Sequence, residues 1–287
     1  MKVALAIPTY NAGGNFEKVL KLIEKQSENI DYKYICDSDS TDGTVNIARK
    51  YGYVVESIPK CDFSHSGTRT KIAQKMNGLG YEYIIFMSQD VYLQPKALNN
   101  IIKFAEAKDA SVVRGKQEVD LAKGNYFEYY ARKKNYGEKS TIFTKEDIPS
   151  KGIDTIFTSD AFSIYNLQYL ELVNYFGDKV KVSEDMYVAH KLIQAGYSVG
   201  YCSEAKVFHT HNYKVYEEFR RYATIGKFYK ENDKWISFYG NTNKKGISLA
   251  TSELKFLFSK KKYHLLLKSV ARNISKFIGF QYGKRRA

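Results

Sequence analysis

What this sequence lacks first is a long hydrophobic run. Its apolar opening, Val3-Ala4-Leu5-Ala6-Ile7, halts at Pro8. That is too short for a signal-peptide core, and no later stretch approaches the roughly 18 apolar residues of a membrane span. Cysteine is also scarce: Cys36, Cys61 and Cys202 are odd in number, far apart and outside any C-x-x-C or Cys/His spacing. Neither a disulfide framework nor a zinc site is indicated, and a reducing cytoplasm fits best. The absence of G-x-G-x-x-G and of G-x-x-x-x-G-K-[ST] removes the dinucleotide fingerprint and the P-loop. No nucleic-acid-binding motif is recognisable either.

What is present is enough apolar material for one large core, or one core plus an appended segment: 287 residues, 44% apolar and 15% aromatic. The net charge of +14 points to a polyanionic partner, whether nucleic acid, phosphorylated substrate or anionic lipid. Its position narrows the choice. From Thr251 to Ala287 ten Lys or Arg stand against one acid, Glu253, so +9 of the +14 lies in the tail. Charge piled in a tail argues against a basic nucleic-acid-binding protein, which would interleave it with aromatics over a face.

The body alternates strands with helices. Val3 to Ile7 is a short strand, after which Phe16, Val19, Leu20 and Ile23 recur at helical spacing. Tyr34-Ile35-Cys36 and Tyr53-Val54-Val55 are further strands, each followed by a helical pattern, the second from Gly67 to Met76. Ile84-Ile85-Phe86-Met87 is a buried fourth strand. This alternation predicts an α/β fold with a parallel, doubly wound sheet. Three strands end in polar clusters: Pro8-Thr9-Tyr10-Asn11, the run from Asp37 to Gly43, and Ser88-Gln89-Asp90. Each alone suits a turn, but strand carboxyl ends in such a sheet converge on one crevice, so the three together favour a binding cleft. Asp90 reads as a functional acid rather than a helix cap, because Val91-Tyr92-Leu93-Gln94 separates it from Pro95. From Gly115 to Ser150 no sheet pattern is clear, and Tyr126, Tyr129, Tyr130 and Tyr136 suit either packing or an acceptor lip.

These residues resemble the family 2 glycosyltransferases, nucleotide-sugar enzymes of the GT-A fold. Ile7-Pro8-Thr9-Tyr10-Asn11 matches the family's opening strand, and Asp37-Ser38-Asp39-Ser40-Thr41-Asp42-Gly43-Thr44 its D-S-x-S-x-D-G-T element. Ser183-Glu184-Asp185 with Ala195-Gly196-Tyr197 matches its E-D motif and downstream turn. The runs from Asp62 to Arg69, Gly152 to Ser159 and Val207 to Tyr213, with Gln89-Asp90, are similar to bacterial rhamnosyltransferases of polysaccharide assembly, which use dTDP-L-rhamnose. Ser88 or Gln89 replaces the first acid of the superfamily's D-x-D, Lys191 stands where arginine is frequent, and Asp160 where asparagine is frequent.

The resemblance implies a GT-A domain over residues 1–230, Rossmann-like with a mostly parallel mixed sheet flanked by helices, divided into a nucleotide-binding half at 1–110 and an acceptor and catalytic half at 111–230, and a basic amphipathic helical segment at 231–287. Along the nucleotide sugar it implies Pro8, Thr9, Tyr10, Asp37, Asp39, Arg69, Gln89 and Asp90, with His65 and Asp62 as weaker candidates. Asp185 is implied as general base and Glu184 as its acceptor-contacting neighbour. A divalent ion, Mg²⁺ or Mn²⁺, is implied at Asp90 and His209, with His211 second choice. Such groups suit the reaction: the departing diphosphate gathers negative charge, and the acceptor hydroxyl must lose a proton. Two acids in a helix's first turn are also an ordinary complement to its dipole. The donor implied is dTDP-L-rhamnose, with a UDP-sugar as the alternative.

In the tail, Tyr263, Leu266, Leu267, Val270, Ile274, Phe277 and Ile278 share one helical stripe, with Lys268, Arg272 and Lys276 opposite. Either the stripe docks on the core and leaves a solvated charged face, or the segment from about Gly246 lies on an anionic membrane. Lys260-Lys261-Lys262 and Lys284-Arg285-Arg286 at its ends favour the second, as does the polyprenyl-linked glycan acceptor that the resemblance implies. The expected location is the cytoplasmic face of the membrane.

Overall fold

Val3–Thr9 forms the first strand, β1, and Phe16–Glu24 the first helix, α1, which buries Phe16, Val19, Leu20 and Ile23 at i, i+3, i+4 and i+7. A computed structural model of the protein describes residues 1–26, 29–122, 124–177, 180, 182–240 and 242–287, with backbone alone at 242–245. The elements continue as β2 (Tyr32–Asp37), α2 (Thr44–Lys50), β3 (Val54–Ser57), α3 (His65–Gly78), β4 (Tyr83–Met87), β5 (Tyr92–Leu93) and α4 (Ala97–Lys108). There follow β6 (Val112–Glu118), α5 (Tyr126–Asn135), β7 (Thr141–Phe143), α6 (Ile148–Lys151), β8 (Phe162–Asn166), α7 (Leu167–Leu172), α8 (Glu184–Gln194) and β9 (Val199–Phe208). The chain ends in α9 (Val215–Glu231), α10 (Asp233–Ile236), α11 (Thr242–Ser259) and α12 (Leu266–Arg285).

Among the described residues the sheet runs β3-β2-β1-β4-β8-β6-β9-β5, with β7 also on β9. β1 is parallel to β2 and β4, and β2 to β3. β8 is antiparallel to β4 and β6, as β5 and β7 are to β9. Parallel neighbours need a crossover that returns the chain to the starting edge. The doubly wound reading holds for β3-β2-β1-β4, whose crossovers carry α1, α2 and α3, and antiparallel β8 makes the sheet mixed beyond. β6 escapes the hydrophobic pattern because Arg114, Lys116 and Gln117 are buried in it. Each has a partner: Phe157's carbonyl accepts from Arg114, Glu138 lies 2.6 Å from the Lys116 ammonium, and Gln117 donates to Ser159.

The chain divides into two compact units, described separately. The first, Met1–Gln117, Glu138–Glu146 and Thr155–His209, carries the whole sheet and a core built on Leu5, Ile7, Phe16, Ile85, Met87 and Leu98. The second, Glu118–Gly137, Asp147–Asp154 and Thr210–Ala287, is helical. There Tyr130 and Tyr136 are buried, with the Tyr130 ring 4.9 Å from that of Phe256, so these two tyrosines pack rather than form a lip.

In the second unit α9 and α12 meet backbone to backbone. A Cβ at Gly226 would lie 2.1 Å from the Phe280 carbonyl oxygen, and one at Gly279 2.4 Å from that of Phe219. The buried face of α12 is Ser269, Arg272, Gly279 and Gly283, with Arg272 paired to Glu218 and donating to the Tyr213 carbonyl. The stripe expected to dock or lie on a membrane faces outward: Leu267 is 86% exposed, and Val270, Ile274, Phe277 and Ile278 are exposed with it. Of the charged face opposite, Lys268 alone is exposed. Arg272 faces inward, and Lys276 approaches Glu218 at 3.6 Å. No helix among the described residues is long and apolar enough to cross a membrane.

The seam makes Gly226→Ala costly by about 1–3 kcal/mol, because the carbonyl opposite belongs to a helix backbone and cannot turn aside. At Gly246, in α11, an added Cβ meets nothing within 4 Å, so Gly246→Ala is expected to stabilise by roughly 0.5–1 kcal/mol. Melting temperatures of the two variants should move in opposite directions; a neutral Gly226→Ala would mean the helices separate freely.

Candidate active site

Asp37 closes β2 and is buried, accepting at Oδ1 from Thr9 Oγ1 (2.7 Å) and Ser40 Oγ (2.6 Å), and at Oδ2 from the Ser40 amide (2.8 Å). It therefore ties the ends of β1 and β2 together. The loops beyond are laced the same way: Asn11 N–H donates to Ser40 Oγ, Thr41 N–H to Asn11 Oδ1, and Gly13 N–H to Asp42. Asp39 is exposed with φ 65°, a left-handed conformation that Asp tolerates. Pro8 is half-buried and Thr9 buried, while Tyr10 is exposed with the Lys60 ammonium donating to its hydroxyl at 2.7 Å.

Gln89 joins the loop after β4 to the loop after β1. Its Oε1 accepts from the Tyr10 amide at 2.9 Å and its Nε2 donates to the Tyr10 carbonyl at 3.2 Å. An acid there could accept but not donate. Beside it Asp90 is exposed, ahead of β5 and clear of the α4 N-terminus, where Lys96 is the cap residue.

A second constellation gathers around Arg69. Ser64 caps α3 by accepting from Gly67 N–H, and Arg69 then shares the buried i, i+3, i+4, i+7 face with Ile72, Ala73 and Met76. Its guanidinium points inward, Nη1 donating to Glu184 Oε1 at 2.8 Å and Nε lying 2.9 Å from Asp160 Oδ2 in a pair too bent for a hydrogen bond. Arg69 and Glu184, expected to meet donor and acceptor, meet each other. The physical reason is register, since both fall on the core-facing side of their helices. Tyr165 donates to Asp160 Oδ1 at 2.6 Å. Asp185, next in α8, is half-buried, and its Oδ1 accepts from the Met186 amide at 2.7 Å.

Three carboxylates share one guanidinium, and this unbalances them. Burial pushes the Asp160 carboxyl up to about 6, Glu184 adds to the rise, and Arg69 opposes it. Asp185 is held well above the ordinary carboxylate range, by burial first and then by Glu184 and Asp160, with Met186 N–H and Arg69 pulling it down. Further along α8, Lys191 donates to the carbonyls of Val173, Asn174 and Tyr175, the last two in left-handed backbone; burial lowers its pKa to about 8.

His209 follows β9 and is buried, with Nε2 3.5 Å from Asp90 Oδ1 and Nδ1 2.9 Å from Gln117 Oε1. A carboxylate oxygen and an imidazole nitrogen at this separation suit two sites on one Mg²⁺ or Mn²⁺. His211 lies past the unit boundary, where its amide donates to the Glu128 carboxylate. Sequence reasoning missed Gln117 and the roles of Asp160 and Gln89. For Arg69 and Glu184 a signal existed, their i, i+3/i+4 register with buried apolar residues.

Residues 4–173 match the family described as Glycosyl transferase family 2. The chain is 35% identical to the O-antigen chain rhamnosyltransferase RfbN of Salmonella typhimurium over 99% of its own length and 90% of that protein's. It is 34% identical to the O-antigen chain rhamnosyltransferase WbaN of Salmonella anatum, over 98% and 88%. Among solved structures it resembles the mannosyltransferase PcManGT from Pyrobaculum calidifontis in complex with GDP-Man and Mn²⁺, with TM-score 0.66 and 14% identity over 99% of this chain and 88% of that one. It also resembles S. aureus TarS 1–349 in complex with UDP-GlcNAc, with TM-score 0.59 and 14% identity over 99% and 91%. At such identity these two speak for the GT-A fold alone. A match over more than half the chain, with relatives similar from end to end, makes this protein a glycosyltransferase of family 2.

Proposed function

We propose that the protein transfers L-rhamnose from dTDP-L-rhamnose, with inversion, to a polyprenyl-linked glycan that becomes cell-surface polysaccharide. The observation that carries the reading is Asp185, a half-buried carboxylate in the first turn of α8 whose basicity is raised by burial and then by Glu184 and Asp160. The curated relatives' names support rhamnose as the sugar. In the proposed step Asp185 takes the acceptor hydroxyl proton as that oxygen attacks the anomeric carbon, and the bond to the diphosphate breaks on the opposite face. Pro8, Thr9, Tyr10, Asp37 and Asp39 line the nucleotide, and Gln89 holds Tyr10 and Asp90 in register. Arg69 and Glu184 frame the base rather than touch ligand.

Asp90 and His209 would hold the divalent ion. When bound, the ion neutralises charge on the diphosphate oxygens.

We further propose that the exposed stripe of α12 lies on the anionic cytoplasmic face of the membrane. Lys260, Lys261, Lys262, Lys284, Arg285 and Arg286 flank it, each contributing about 1 kcal/mol near such a surface. Burial of the stripe adds to this.

Asp185→Asn is expected to lower turnover by about 100- to 10,000-fold while dTDP-L-rhamnose still raises its melting temperature as in the wild type. Wild-type turnover in this variant would remove Asp185 as base. A larger melting shift with UDP-sugars than with dTDP-L-rhamnose would move the donor to the alternative.

The acid limb of the wild-type pH–rate profile should lie above the ordinary Asp range of about 3.9, because Asp185 must be ionised. Arg69→Gln removes the charge that lowers Asp185 and Asp160, so the limb should move to higher pH. It should also destabilise the fold, by about 3–5 kcal/mol. Carboxyls with raised folded-state pKa favour folding at low pH and lose that contribution as pH rises through the folded value. The loss in melting temperature should therefore be larger at pH 8 than at pH 5, and an equal or reversed loss would discard this electrostatic account.

Full-length Leu267→Glu/Phe277→Glu should sediment less with phosphatidylglycerol vesicles at low salt than the wild type, with donor binding unchanged. Wild-type protein that ignores such vesicles, or whose stripe variant turns from dimer to monomer, would assign the stripe to another partner.

A further inference from the structure

We infer that Gln117 is a positioning residue for His209: it fixes the imidazole as the Nδ1–H tautomer and leaves the Nε2 lone pair facing Asp90. Its significance for the ion rests on the reading of His209 as a ligand, but the tautomer itself does not.

Gln117 lies near the end of β6, and His209 directly follows β9, the next strand in the sheet. The two strands pack closely upstream, where Gly115 is needed: a Cβ there would lie 2.4 Å from the Phe162 ring and 2.6 Å from the Ala205 carbonyl oxygen. Gln117 is 1% exposed, so its amide is held by protein partners rather than solvent. Its Nε2 donates to Ser159 Oγ at 2.8 Å, which turns Oε1 toward His209 Nδ1 at 2.9 Å. A carbonyl oxygen only accepts, so Nδ1 must carry the proton. In a neutral imidazole the other nitrogen is then bare, and Nε2 is the atom 3.5 Å from Asp90 Oδ1. Ser159 is itself tethered, because its carbonyl accepts from Ser163 Oγ at 2.7 Å within β8. The chain from β8 through Ser159 and Gln117 to His209 thus sets a proton's position from the sheet interior. Outer hydrogen bonds of this kind raise ligand basicity and fix ring orientation.

The experiment uses the full chain with ¹⁵N-labelled histidine and no added metal. Long-range ¹H–¹⁵N spectra should show His209 as the Nδ1–H tautomer in wild type and in Gln117→Glu, which keeps an acceptor. In Gln117→Leu it should become mixed or Nε2–H. Mn²⁺ titrated alone into the same samples should bind about 10- to 100-fold more weakly to Gln117→Leu, with Gln117→Glu restoring the affinity. A wild-type His209 carrying its proton on Nε2, or a Gln117→Leu variant that keeps Nδ1–H, overturns the inference. The wild-type spectrum decides even if that variant does not fold. Wild-type protein with the Nδ1–H tautomer but no Mn²⁺ binding would instead reject the metal reading and leave the tautomer assignment standing.

Discussion

Arg69 lies between Asp160 at 2.9 Å and Glu184 at 2.8 Å, with Asp185 one residue beyond, and the candidate active site depends on that shared charge. A guanidinium presents its donors in a rigid fork, so it orients the two carboxylates as well as neutralising them. Both belong to separate parts of the chain, one before β8 and one opening α8, and α3 brings the cation to them. The cluster is short of positive charge. Burial makes Asp185 hold its proton more tightly, and the excess of negative neighbours adds to this. The same arrangement that anchors α8 thereby shapes the chemistry of its first turn.

Amides serve where acids would be expected. Gln89 stands in the altered D-x-D and makes a two-way bond to the Tyr10 backbone. Gln117 receives from His209 on one side and gives to Ser159 on the other. An amide connects two partners of opposite polarity without adding charge beside Asp90.

Much of this was legible in the residues. The alternation from Val3 to Met87 carries β1, β2, β3 and β4 with their crossovers, and the polar clusters at three strand ends mark the loops that Asp37, Gln89 and the Ser40–Asn11 bonds lace together. The chain from β6 onward was harder to read. β6 is a strand whose buried positions hold Arg114, Lys116 and Gln117, and periodicity counts such residues as solvent-facing although each has a partner inside. The reversal at β8 depends on which strands become neighbours, and hydrophobic spacing carries no direction. For α12 the spacing identified the stripe but not that Arg272 and the glycines form the inward face. Glycines and the ion pairs of Glu218 with Arg272 and Lys276 do much of the packing there, and none of these registers as hydrophobic.

That seam has an evolutionary corollary. Gly226, Gly279, Arg272 and Glu218 bind α12 to α9, whereas Leu267, Val270, Ile274, Phe277 and Ile278 are exposed. Packing and outer surface are thus written on different letters of the same helix. Selection for a new surface or a new neighbour can rewrite the outer letters at its own pace, while the inner ones stay bound to the shape of the opposing backbone.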